Sequence, residues 1–257
     1  MLVHLATRQI DPDGTGFVAT NVTGTLNLLR KSDANLRGVV YGSSASVYGQ
    51  GPLRPALEVD RPNPVTPLAS SRRGAERVIL KMAAERDFGA YLCRPRFIIG
   101  GGDRFLVPLL VRLARMRLAG SQAVSYSFIH VDDYAKVILF LLQRLATIHG
   151  NGSNPERLAV NVAYRTALPQ EQILSTVRGM AGLPGPLVKL RCPRSLLAGL
   201  RAMPGRRPDR LATRLELLMQ DQILSCRRLS EMGCDIPSRS PQEWLEVAIR
   251  QYQEVAK

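Results

Sequence analysis

Hydrophobic and polar positions along this chain group into short apolar runs separated by longer stretches of helical periodicity. Residues 1–6 (Met-Leu-Val-His-Leu-Ala) form an apolar run that reads as a buried parallel strand. Val18, Val22, Leu26 and Leu29 recur at helical spacing, which predicts a helix starting at Asp13 or Thr15 and running through Leu29. Residues 36–43, with Val39, Val40 and Tyr41, predict the next strand, and the Pro-rich segment 63–67 predicts a loop. A helix is predicted over 70–88, with Ala75, Val78, Ile79, Met82 and Ala83 on one face. A strand over 90–95, a helix over 105–118, a strand near Phe128 and a helix over 132–145 follow.

This alternation predicts an open, doubly wound parallel sheet with helices on both faces. After Gly150-Asn151-Gly152 the pattern changes. A strand is predicted over 158–162 and helices over 169–181 and 241–255, with Pro- and Arg-rich segments between them. The expected organisation is an α/β domain over 1–150 and a smaller, mixed α/β lobe over 151–257.

Composition narrows the picture only in part. A hydrophobic share of 45% over 257 residues is ordinary for a globular chain with a full core. No run approaches 18 apolar residues, so no membrane-spanning helix is expected. The first residues lack a basic region followed by an apolar stretch and a cleavage site, so no secretory signal is expected either. Cys93, Cys192, Cys226 and Cys234 are scattered without C-x-x-C spacing, which fits free thiols in a reducing cytoplasm and no metal site. Net charge is +14, and only five of the 35 basic residues are Lys. Such a surplus attracts polyanions, including the diphosphate of a nucleotide-sugar. The densest cluster, 201–214 with Arg206, Arg207 and Arg210, has no interleaved aromatics, so nucleic acid is not indicated.

Six motifs occur in a specific order. His4-Leu5-Ala6 is followed by Asn21-x-x-Gly24-Thr25-x-Asn27-Leu28-Leu29. Then come Tyr41-Gly42-Ser43-Ser44-Ala45-Ser46-Val47-Tyr48-Gly49 and Thr66-Pro67-Leu68-Ala69-Ser70-Ser71-Arg72. Next are Arg94-Pro95-Arg96-Phe97-Ile98-Ile99-Gly100-Gly101-Gly102-Asp103, the segment Phe128 to Asp133, and Asn161 in Val160-Asn161-Val162. Together they resemble the extended short-chain dehydrogenase/reductase family, of the NAD-dependent epimerase/dehydratase type. The resemblance is close over 1–165 and looser over 166–257, where Asp221 to Gly233 carries it. It implies a Rossmann-like sheet with a substrate lobe, NAD or NADP as cofactor, and a nucleotide-sugar or related small molecule as substrate. It also implies a homodimer formed through the helices near 15–30 and 70–86. Steroid and flavonoid reductases share the frame, so the substrate is not identified.

The resemblance assigns roles residue by residue. Ser44 matches the hydroxyl that holds the reacting oxygen of the substrate. Leu5, Ala6, Ser43, Arg72 and Pro95 match positions beside the cofactor. Leu68 stands where the family has its catalytic Tyr, and Arg72 where it has the Lys. That Tyr is a general acid/base whose pKa of about 10 must fall toward neutrality, which a nearby ammonium and the nicotinamide cation achieve. Leu68 has no proton to give, and the planar fork of Arg72 is not an ammonium point charge. Two smaller departures are Ile99 for the usual Tyr and Gly101 for the usual Pro. An acidic side chain of Asp132 or Asp133 is expected to cap the helix that follows.

The family also opens with a strand, a G-x-x-G-x-x-G turn and a helix whose N-terminus holds the cofactor pyrophosphate. No such fingerprint is present. The missing part corresponds to two βα units, on the order of 60 residues at ~30 each. The expectation is therefore a chain lacking the first strands of its sheet, whether through a misassigned start, a truncated gene, degeneration, or a partner chain that supplies them. The strand at 1–6 then becomes a sheet edge. Two functions follow from the resemblance: an NAD(P)-dependent epimerase/dehydratase-like oxidoreductase, or a non-catalytic homologue that serves as a binding or dimerisation module.

Overall fold

In the computed structural model, residues 1–49, 51–121, 123–189, 199, 202–203, 218–235 and 240–255 are described. The Arg-rich cluster at 201–214 and Cys192 lie outside this set, apart from Ala202 and Met203. The elements in chain order are β1 (Leu2–His4), α1 (Gly24–Lys31), β2 (Gly38–Gly42), β3 (Leu53–Ala56), α2 (Pro67–Glu85), β4 (Gly89–Pro95), β5 (Ile98–Ile99) and α3 (Leu106–Arg115). There follow β6 (Leu118–Ala119), β7 (Ser125–Tyr126), β8 (Ile129–His130), α4 (Val131–Gly150), β9 (Arg157–Val162), β10 (Leu168–Pro169) and α5 (Gln170–Met180). The last are β11 (Val188–Lys189), β12 (Gln222–Leu224), α6 (Arg227–Glu231) and α7 (Pro241–Val255).

The main sheet has the order β1-β2-β4-β9, with every pair parallel. Its two faces bury two different cores, as period-two alternation requires. Val39 and Tyr41 of β2 and Ala90 and Leu92 of β4 pack with Ala75, Ile79 and Ala83 of α2. Val40, Tyr91 and Cys93 point to the other face and join Val137, Ile138 and Leu141 of α4. The strands are apolar on both sides because helices cover both sides. The predicted doubly wound α/β arrangement is present. Among the described residues β1 is an edge strand, with Val3 and Leu5 exposed.

The smaller sheet has the order β10-β7-β12-β3 and is mixed. The sheets interleave along the chain. The expected division at 150/151 falls between α4 and β9, and β9 joins the main sheet, whereas β3 and β7 pair with the later β12.

Several element ends differ from the periodicity reading for local reasons. Helix α2 begins at Pro67 and not at 70, because Thr66 caps it: its Oγ1 accepts the Ala69 N–H at 3.2 Å, and Pro67 occupies the first helical position. It ends at Glu85, before Asp87 takes a left-handed φ of 53°. The first helix contains a π-helical stretch, Val18–Thr23, ahead of α1. Buried Asn21 lies within it. Its Oδ1 accepts the Arg8 N–H at 2.7 Å and its Nδ2 donates to Ser71 Oγ at 2.9 Å. A widened turn carrying a tied polar side chain is a usual setting for a π-bulge. At α4 the cap is His130, whose Nδ1 accepts the Asp132 N–H at 3.3 Å, and not an aspartate. Asp133 is instead buried and accepts from Tyr164 and Lys136.

Candidate functional site

The C-terminal ends of β2 and β4 and the first two turns of α2 converge on one place. Strand ends of a parallel sheet are where such folds form ligand crevices. Leu68, Arg72 and Glu76 are spaced by four along α2 and therefore lie on one side of it. Their surroundings differ sharply.

Glu76 is 0% and Arg94 2% exposed. Their pairing is bidentate: Arg94 Nε donates to Oε1 at 2.8 Å and Nη2 to Oε2 at 2.7 Å. Ser43 Oγ donates to Oε1 at 2.6 Å and Arg73 Nη1 to Oε2 at 2.8 Å. Burial alone would raise the Glu76 pKa; Arg94, joined by Ser43 and Arg73, outweighs it and holds the carboxyl below its ordinary value. The remaining face of Arg94 lies over the Tyr48 ring at 5.0 Å, and Nη1 donates to the Tyr48 hydroxyl at 3.2 Å. Tyr48 in turn donates to Asn161 Oδ1 at 2.8 Å, and Asn161 Nδ2 donates to the carbonyls of Ala56 and Ser225 at 2.9 and 3.1 Å. The backbone bend that delivers Tyr48 ends at Gly49 (φ +114°), where a Cβ would stand 2.5 Å from the Asn63 carbonyl oxygen. Three of the six motifs, together with Arg73 and Glu76 of α2, thus meet in one buried node.

Beside this node opens a cavity of about 520 Å³. Leu5, Ser43, Ser44, Arg72 and Pro95 all line it, together with Thr7, Arg96, Phe97 and Tyr134. The positions that the resemblance assigns to cofactor and substrate are therefore brought together, except Ala6 and Leu68, which are not among the walls. Ala6 is exposed. Leu68 is half-buried in the first turn of α2, and its carbonyl accepts from Ser71 Oγ. Ser44 Oγ accepts the Ser46 N–H at 3.1 Å, which fixes the turn after β2 and leaves the hydroxyl proton free to donate.

The reading from sequence missed Arg96 and Tyr134. Arg96 occupies the variable position of the Arg-Pro motif. The available signal was its place just past a central strand, where such residues face the crevice. Tyr134 comes from the first turn of α4, far from the other motifs in the chain. Arg72 donates to Ser46 Oγ at 3.4 Å, its Nε is buried without a hydrogen-bond partner, and the same holds for the Nε of Arg96. Neither guanidinium forms an ion pair with a described residue. Burial, and then the like charge of Arg72, lowers the Arg96 pKa to about 10, which leaves it cationic at neutral pH. Two nearby phenols stay protonated: burial pushes Tyr41 up to about 12 and Tyr134 well above the ordinary tyrosine value.

The sequence pattern of the NAD dependent epimerase/dehydratase family matches residues 3–162. The chain belongs to that family. The UDP-glucose 4-epimerase of Streptomyces lividans is 27% identical over 190 residues, covering 65% of this chain and 54% of the epimerase. The chain spans about half the length of the curated relatives it matches, such as 54% and 52% for two of them. Among solved structures, RMD from Pseudomonas aeruginosa complexed with NADPH aligns with a TM-score of 0.72 at 21% identity, over 98% of this chain and 80% of that one. The UDP-glucose 4-epimerase of Thermotoga maritima with UDP-glucose aligns with a TM-score of 0.72 at 16% identity, over 99% and 77%. Members of this fold are thus seen with NADPH and with a nucleotide-sugar. No helix among the described residues is long and apolar enough to cross a membrane.

The residues present do not supply the proton carrier that a hydride-transferring nicotinamide needs: position 68, where the resemblance sets the phenol, is Leu68, which has no proton to exchange.

Proposed function

We propose that this chain forms the ligand crevice of a nucleotide-sugar-binding member of the family and that it does not move a proton through position 68. The observation that carries this reading is the pairing of an intact frame with a missing proton carrier. Ser44, Arg72 and the Glu76–Arg94 node keep the shape of the site, while Leu68 can neither donate nor accept. Tyr41 and Tyr134 do not replace it, because burial holds both phenols far from a useful pKa.

The test is calorimetric titration of the chain with UDP-glucose, NAD and NADP, run beside an assay of nicotinamide absorbance. Binding of the nucleotide-sugar without turnover is expected. Wild-type turnover with either cofactor would overturn the reading and establish the alternative, an NAD(P)-dependent epimerase/dehydratase-like oxidoreductase. That alternative is favoured by the gathering of Leu5, Ser43, Ser44, Arg72 and Pro95 around one cavity. Restored turnover in Leu68→Tyr combined with Arg72→Lys would trace the loss to these two positions.

A cytoplasmic location and a homodimer belong to the same proposal. Cys93, Cys226 and Cys234 are free and buried, as suits a reducing compartment. α1 and the π-helical stretch before it pack beside α2, with Gly74 close against Val22 of that stretch, and leave Val18 and Leu28 exposed at 60% and 38%. Sedimentation as a monomer at micromolar concentration would exclude the dimer.

A further inference from the structure

We propose that Arg72 and Arg96 together form a receptor for an oxyanion carried by the ligand, a phosphate or a carboxylate, at the strand end of the cavity. This deepens the reading that the cavity binds a ligand, and it rests on that reading.

The two guanidiniums come from independent elements, one from α2 and one from the segment after β4, yet both face the same cavity. Their Nε atoms are buried without partners. Among the described residues, Arg72 makes one long hydrogen bond, to Ser46, and Arg96 makes only a ring contact, 5.5 Å from Phe97. Like charges without a counterion are unfavourable away from bulk water, so the arrangement is incomplete by itself. Among the described residues nothing completes it. Asp103 is an acidic residue in the cavity wall, but its carboxylate already accepts the N–H groups of Phe105, Leu106 and Val107 at 2.7, 3.0 and 2.9 Å, where it starts α3. A guanidinium presents its donors as a planar fork that matches the two oxygens of a carboxylate or phosphate. The Ser44 hydroxyl in the same wall adds a neutral donor. The contrast with Arg94 is instructive, since two residues away the same side chain is paired on every edge.

The experiment measures melting temperature and calorimetric affinity with sodium phosphate, sodium glucuronate and UDP, at constant ionic strength balanced with chloride. Saturable binding of at least one of these anions is expected. Arg72→Met and Arg96→Met each weaken it about tenfold or more, the loss of one charge-assisted bidentate contact. Arg61→Met, which removes an exposed positive charge elsewhere, leaves it unchanged. Arg96→Lys keeps the charge without the fork and retains part of the affinity. Melting in chloride buffer alone shows that each variant is folded. Preference for phosphate and UDP assigns the oxyanion to a phosphate, and preference for glucuronate assigns it to a sugar carboxylate. Absence of saturable binding, or binding that survives both Met substitutions, overturns the receptor. Phosphate binding without any UDP-glucose binding would keep the receptor and remove the nucleotide-sugar reading.

Discussion

Arg94 and Arg96 stand two residues apart and have opposite electrostatic settings. Arg94 enters a node in which Glu76, Tyr48, Ser43 and Asn161 satisfy one another across α2, β4, the turn after β2 and β9. Arg96 enters a cavity whose acidic wall residue, Asp103, is already engaged with the N–H groups that start α3, and it forms no ion pair with a described residue. The first setting is what a fold needs from a buried charge, and the second is what a binding site leaves for its ligand. On the proposed reading, the frame of the family's site has outlasted the residue that performs its proton transfer.

That contrast can be broken by substitution. Glu76→Gln should have the largest effect, a loss of about 3–5 kcal/mol in urea unfolding, because Arg94 then remains buried, and Arg73 half-buried, without a counterion. A change below about 1 kcal/mol would mean that the node is not what holds the frame. The same carboxylate predicts a pH dependence. Its folded pKa lies below its unfolded value, so its contribution is complete above an unfolded pKa of about 4.3 and fades as pH falls through the lower, folded value. Wild type should therefore lose stability on acidification below about pH 4.3, with a component that Glu76→Gln lacks. Asn161→Ala should cost about 1–3 kcal/mol, since it frees the Ala56 and Ser225 carbonyls and the Tyr48 hydroxyl. Thr66→Ala should cost about 1 kcal/mol through the lost cap of α2. Arg96→Met in anion-free buffer should do least, between no change and about 1 kcal/mol of added stability, because it removes an unpaired charge and keeps the apolar stem. A loss there as large as for Glu76→Gln would erase the distinction between node and cavity.

Sequence reading recovered the regular parts of this molecule because their signal is local. The alternation of Val39, Val40 and Tyr41 and the spacing of Ala75, Ile79 and Ala83 follow from which face each element buries. The site was legible as far as the motifs that carry it: Ser44 and Arg72 line the cavity, whereas Leu68 is not among its walls. Other features lie between segments, where one-dimensional periodicity is silent. The π-helical turn is held by Asn21 reaching Arg8 and Ser71. The small sheet is built from strands of two to four residues, too short for a period to show. The partnership of Glu76 with Arg94 joins α2 to the Arg-Pro motif, and neither segment alone points to the other. Arg96 and Tyr134 reach the cavity from segments whose own patterns spell only a strand end and a helix start.

Asn161 has one more consequence. It belongs to the main sheet through β9, and its side chain grips the ends of β3 and the residue after β12, both in the small sheet. Turning one sheet against the other would have to strip these contacts from a buried amide. The two sheets are accordingly fixed against each other before anything arrives, so a guest of the cavity beside them would meet a preset frame, at a rate governed by encounter and by the pull of its charge rather than by a hinge between the sheets.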